Sequence, residues 1–183
     1  MTGPRRPAGW LVPALCLLFA GALLWEARAD LAFELSLSPP VDLGSAGHYD
    51  LRGAKADRFA RVVGTPGSAR VTYRRALRDR ELRPLLGTPI VLERPAGASA
   101  AAPVAAEGRL LRDDRAPRYR EVVAEFLRRD QLAAPSREAG TAHVWILLDG
   151  ERPWRPSLVL LWVVLLFGLV AFNAGWLAHR LLR

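Results

Sequence analysis

The sequence predicts two transmembrane helices flanking a small α+β, mainly β extracytoplasmic domain with one amphipathic helix, and an OB-like barrel is the expected form of that domain. Three observations lead there. An uncharged apolar run lies near each end of the chain, apolar and polar residues alternate in short stretches through the middle, and one late stretch switches to helical periodicity. The expected organisation is a cytoplasmic tail over 1–9, transmembrane helix 1 over 10–29 acting as a signal anchor, a periplasmic β-rich domain over 30–156, transmembrane helix 2 over 157–178 and a cytoplasmic tail over 179–183.

The first run, Trp10 to Trp25, holds no charge and follows Arg5 and Arg6. Its 16 residues extend about 24 Å as a helix, a little short of a ~30 Å hydrocarbon core. Trp10 and Trp25 suit the two membrane interfaces, and Pro13 falls in the first turn, where proline is tolerated. A cleaved signal peptide has the same basic start and apolar run, and Ala27-Arg28-Ala29 resembles its small-x-small cleavage site. The run is long for that purpose, and Glu26 and Arg28 are awkward beside the cut, so a retained anchor is expected. Leu15 before Cys16 does not fit a lipoprotein box, and Pro7-Ala8-Gly9 after the arginine pair does not fit a twin-arginine signal.

The second run, Ser157 to Ala178, has 22 uncharged residues and reaches about 33 Å. Trp162 and Trp176 lie towards its ends, and His179, Arg180 and Arg183 follow it. Arginines on both short tails put both termini in the cytoplasm, because the long intervening loop is exempt from the positive-inside rule. Gly168, Ala171, Gly175 and Ala178 recur at spacings that place them on one stripe. Small residues let helices approach closely in lipid, and Asn173 is a polar group at depth that needs a hydrogen-bond partner. These five residues are the expected contact with a partner helix; the alternative is that the stripe packs on the first helix.

Between the helices, Leu31–Ser38 alternates as a strand and Pro39-Pro40 ends it. Val41–Ala54 reads as a loop. Arg58–Val63 and Ala69–Arg75, separated by Gly64-Thr65-Pro66-Gly67, read as a hairpin. Ala76–Leu86 fits no single period. Ile90–Arg94, Val104–Leu111 and the dense apolar Ala142–Leu148 are further strands, the last of them central, and Pro95–Pro103 is a low-complexity loop. Over Arg115–Ala133, Tyr119, Val122, Val123, Phe126 and Leu127 recur as one face of a helix, with Asp113 or Asp114 as cap and Pro117 in the first turn.

The net charge of +8 overstates the domain's basicity. From Asp30 to Pro156 there are 21 Arg and Lys against 17 Asp and Glu, a net +4. Acids interleave with the bases, which excludes the concentrated basic face of a nucleic-acid binder. The single cysteine, Cys16, lies in the first apolar run, so the domain has no disulfide and no thiolate metal site. The three histidines, His48, His143 and His179, show no metal-ligand spacing. There is no Gly-x-Ser-x-Gly elbow and no Gly-rich phosphate loop. No cofactor, small-molecule substrate or catalytic residue is expected.

The expected function is therefore that of a non-catalytic accessory or scaffold subunit of a larger inner-membrane complex, its partners being other integral membrane subunits and lipid. In topology alone, the order helix, periplasmic β-rich domain, helix resembles the Surfeit-locus family of cytochrome-oxidase assembly proteins. That resemblance implies an assembly factor for a respiratory or similar complex as the alternative. A membrane-bound hydrolase stands third.

Overall fold

The computed structural model describes residues 11–75, 77–98, 103–133, 143–153 and 158–181. Arg5, Arg6 and Trp10 lie outside them, and of Arg180 only the backbone is described. The chain folds into two compact units, Met1–Glu34 with Arg155–Arg183, and Leu35–Trp154.

The first unit holds two apolar helices, α1 (Leu11–Glu34) and α3 (Leu158–Leu181), each of 24 residues. Both are long and apolar enough to cross a membrane. They pack on each other. The row Pro13, Leu17, Ala20, Leu24 and Ala27 is the covered side of α1, with Ala20 fully buried. On α3 the covered row is Val163, Leu166, Val170, Asn173 and Leu177. Alternating steps of three and four give the narrow seam of a paired helix. The rest of α3 turns large apolar side chains outward: Trp162, Phe167 and Phe172 are all exposed.

The strand expected over Leu31–Ser38 does not form. α1 continues through Leu31, Ala32, Phe33 and Glu34, and its last residues are followed by irregular chain up to Pro40. Extending an existing helix by a turn of good helix formers costs no new nucleation, so the helix takes the first four residues of an eight-residue alternation.

The second unit contains a seven-stranded mixed sheet in the order β1–β4–β8–β9–β7–β6–β5. The strands are β1 (Val41–Asp42), β4 (Arg58–Gly64), β5 (Val71–Arg75), β6 (Arg78–Pro84), β7 (Ile90–Pro95), β8 (Val104–Arg112) and β9 (Trp145–Asp149). A separate two-stranded ribbon pairs β2 (Gly44–Ser45) with β3 (His48–Tyr49). The expected loop at 41–54 thus carries three very short strands. β9 sits between β7, to which it is parallel, and β8, to which it is antiparallel, so the Ala142–Leu148 segment does supply the central strand.

The expected hairpin of Arg58–Val63 with Ala69–Arg75 is absent. β4 pairs with β8 and β1, while β5 pairs with β6. The run Gly64-Thr65-Pro66-Gly67 is not a reversal. It continues across the domain and docks on the end of β6, through a Pro66–Leu85 bridge, a Leu86 N–H bond to Thr65 O of 3.0 Å and a Gly67 N–H bond to Pro84 O of 2.7 Å. Residues that read locally as a turn here link strands that are not neighbours in the sheet.

Each face of the sheet is covered. On one, Val62, Ile90, Leu92, Leu110 and Leu147 pack with Leu43 and Leu51 from the β1–β3 region. On the other, Leu82, Val91, Ile146 and Leu148 pack against Tyr119, Val123 and Phe126. The helix over Arg115–Ala133 is shorter than expected. Two 3-10 turns (Asp113–Arg115 and Pro117–Tyr119) lead into α2 (Arg120–Arg128), and the chain leaves the helix through Asp130 at φ 53°. Neither Asp113 nor Asp114 caps a helix end with its side chain. Asp114 is held instead by Arg112, at 2.6 and 2.7 Å.

Candidate functional site

The α2 side of the sheet carries a buried ionic cluster centred on Glu93. Residue 93 follows the apolar Ile90-Val91-Leu92 on β7, a strand covered on both faces, so its carboxylate is fully removed from water. A buried carboxylate is tolerated only when its oxygens are matched by donors. Arg75 Nη1, reaching over from β5, donates to Oε1 at 2.9 Å. The Tyr119 hydroxyl, placed by the turn before α2, donates to Oε2, and Arg80 Nε lies 4.0 Å from Oε1. Arg75 also meets Glu151 at 3.1 Å.

Burial pushes the Glu93 carboxyl up, but the hydrogen bonds from Tyr119 and Arg75, the nearby Tyr73 hydroxyl and the Arg75 charge outweigh it, so the group stays below its ordinary range and is ionised. Tyr119 responds oppositely. Burial and its bond to Glu93 hold its proton on, to about 12. Tyr73 is raised too, first by burial. Its hydroxyl lies close enough to Glu93 to feel the charge, yet is buried without a well-aligned hydrogen bond. The two rings meet edge to face at 6.4 Å and 81°.

Next to this cluster, between β5 and the start of α2, is a pocket of about 340 Å³. Val71, Leu82 and Val122 form its apolar wall together with the rings of Tyr73 and Tyr119; Arg74, Arg75 and Arg118 line it as well. Arg118 lies over the Tyr119 ring at 4.7 Å. β5 is the last strand of the sheet on this side.

A second cluster brings together residues that the sequence left apart. His143, at the start of the last strand segment, has Nδ1 3.6 Å from Asp113 Oδ1, and with Asp114 the three offer ligand atoms within 4.8 Å of one another. The two-point clasp of Arg112 on Asp114 already neutralises the second carboxylate and pulls its proton affinity down. A cation there would have to displace an arginine.

The residues expected to meet a partner helix fall into two groups. Gly168, Ala171, Gly175 and Ala178 lie on the exposed side of α3, and a Cβ built on Gly168 or Gly175 meets nothing within 4 Å. The stripe therefore does not pack on α1. Asn173 is on the covered row, about 140–160° round the helix from the stripe, and its Nδ2 donates to Leu169 O at 2.8 Å. Of the expected interface anchors, Trp25 is exposed near the middle of α1 with Arg28 over its ring at 4.0 Å, and Trp162 and Trp176 are exposed on α3.

Sequence reasoning missed the Glu93 cluster. Its one signal was an acid closing the run Ile90-Val91-Leu92 in a strand with no polar alternation; the partners, 18 and 26 residues away in the chain, carry no local pattern. Set against protein-family models, curated proteins and solved structures, the chain matches none.

Proposed function

We propose that this chain is a two-pass inner-membrane protein serving as a non-catalytic accessory or scaffold subunit of a larger membrane complex, with its β-rich domain on the periplasmic side. The observation that carries this reading is the surface of the helix pair. No residue of the Leu161–His179 span is buried, and among the described residues its covered row is the narrow seam with α1. Outside that seam the helix presents bulky apolar side chains suited to acyl chains. Interrupting them is the row Gly168, Ala171, Gly175 and Ala178, which offers close approach to another helix. Arg5, Arg6, Arg180 and Arg183 favour cytoplasmic tails.

The strand order, together with the Pro66–Leu85 bridge that brings the end of β4 onto β6, favours a sheet curled into a small OB-like barrel. Such a barrel is a rigid platform for protein contact; it does not by itself assign a reaction.

The test is extraction of native membranes in mild detergent, followed by native-gel migration and identification of co-migrating proteins. A subunit travels in a large complex at fixed ratio, and Gly175→Leu weakens that association while membrane insertion persists. Migration alone, or only with immature partners, replaces the subunit reading with the assembly-factor one. Association that survives Gly175→Leu removes the stripe from the interface.

A further inference from the structure

The pocket beside the Glu93 cluster has a size, a lining and a charge that together define a ligand class, independently of the membrane reading. Its volume of about 340 Å³ is at the lower end of small-molecule sites. At the ~30 Å³ that a water molecule occupies in the liquid, it holds roughly 11 non-hydrogen atoms. The walls are apolar side chains and two tyrosine rings, so the body of the ligand is apolar.

The charge is positive. Among the described residues no acid lines the pocket, whereas three arginines do. Arg75 is matched by Glu93 and Glu151. Among the described residues, neither Arg74 nor Arg118 has a carboxylate within 4.0 Å. Arg118 is exposed at the pocket and rests on the Tyr119 ring, free to turn its guanidinium to an incoming anion.

The wall is also preorganised. Glu93 holds Tyr119 through its hydroxyl and Arg75 through Nη1. The buried carboxylate thus acts as a positioning residue, fixing one ring and one cation of the pocket at a site it does not itself line.

We infer that this pocket binds a small amphipathic organic anion, an apolar body of about eight non-hydrogen atoms or fewer bearing a carboxylate that pairs with Arg118. A peptide strand added to β5 is the competing occupant. It is disfavoured because Arg70, Arg74, Arg75 and Arg78 crowd that edge and its turn, and charge on an edge strand blunts strand addition.

The experiment is equilibrium dialysis of the full chain in lipid nanodiscs against 3-phenylpropionate, with empty nanodiscs subtracting partition into lipid. The neutral 3-phenylpropionamide and acetate serve as probes of the body and the head alone. Saturable binding of about one 3-phenylpropionate per chain is expected, with the amide weaker by roughly tenfold or more, as loss of one charge-assisted contact implies. Arg118→Glu should cost a similar factor, and Val122→Trp, which fills the pocket, should abolish binding. Equal binding of acid and amide would remove the anion requirement. Binding unchanged in Val122→Trp would place the site elsewhere. An absence of saturable binding up to on the order of 10 mM, well beyond the millimolar range of weak ligands, would overturn the proposal. So would binding of a capped, uncharged extended peptide in place of the carboxylate, which would make β5 a strand acceptor. The comparison of acid with amide uses the unmodified protein, so it stands whether or not the variants fold.

Discussion

Arg75 on the edge strand β5 donates to Glu93 on β7 at 2.9 Å, spanning the whole of β6 between them. The bond fastens the end of the sheet to its middle by a side chain as well as by the backbone ladder. Because Glu93 is held below its ordinary proton affinity, its stabilising effect is complete above the usual 4.5 and is lost as pH falls through the lower folded value.

Glu93→Gln should therefore destabilise the domain by about 2–3 kcal/mol at neutral pH. The cost falls short of that for a deeply buried cation because Arg75 keeps Glu151 and some solvent contact. Thermal unfolding of the detergent-solubilised chain should show a deficit of roughly 10 °C or more. The deficit should be constant from pH 7 to pH 5 and shrink below 4.5. A deficit that grows on acidification would contradict an ionised Glu93.

The two tyrosines beside that carboxylate should separate cleanly. Tyr119→Phe removes a donor from a buried anion and should cost about 1.5–3 kcal/mol. Tyr73→Phe removes a hydroxyl that is buried without a good partner, and should be neutral to within about 0.5 kcal/mol, or slightly stabilising. Denaturant unfolding of both variants measures the difference; equal costs would mean that Tyr73 shares the bond after all.

Much of this was legible in advance, but unevenly. The two apolar helices rest on composition, which needs no partner to be read, and both are present. Strands β4, β5, β7, β8 and β9 follow from local alternation or dense apolar runs, and their limits lie close to those expected. Pairing was not legible. Gly64-Thr65-Pro66-Gly67 has turn chemistry, yet it runs extended because Pro84 and Leu86, far along the chain, supply its hydrogen bonds. The Glu93 cluster is hidden for the same reason, since three short segments converge on one carboxylate. On α3 the spacing places Gly168, Ala171, Gly175 and Ala178 together, whereas Asn173, expected with them, falls on the other side at 100° per residue.

Two glycines should respond differently to alanine. At Gly108, on β8, a Cβ would sit 1.9 Å from Leu148 O and 2.6 Å from its carbonyl carbon, atoms of the paired strand β9. Backbone cannot swing aside, so Gly108→Ala should cost about 3 kcal/mol or more. At Gly87 a Cβ meets nothing, but φ is +72°, so Gly87→Ala should cost only about 1–2 kcal/mol. Thermal unfolding ranks them; a reversed order would mean that β8 and β9 can separate without penalty.

The N-terminal helix should stay on the protein. α1 runs unbroken through Ala27-Arg28-Ala29 to Glu34, so the candidate cleavage segment is helical, and Ala20 is packed in the seam of the helix pair. Intact mass of the purified chain should include Cys16. A mass beginning at Asp30 would show processing as a signal peptide.

The order of strands in space also sets an order in time. β9 is the last strand made but lies at the centre of the sheet, between β7 and β8. Until Trp145–Asp149 emerges, the strands already synthesised have no common middle, and β7 and β8 hold apolar edges open to the wrong neighbours. The second apolar helix begins at Leu158, nine residues beyond the end of β9. Completion of the sheet is thus nearly simultaneous with the arrival of the second apolar helix. A chain cut short before Trp145 would lack both, leaving an unfinished sheet and one unpaired apolar helix, a ready substrate for quality-control proteases.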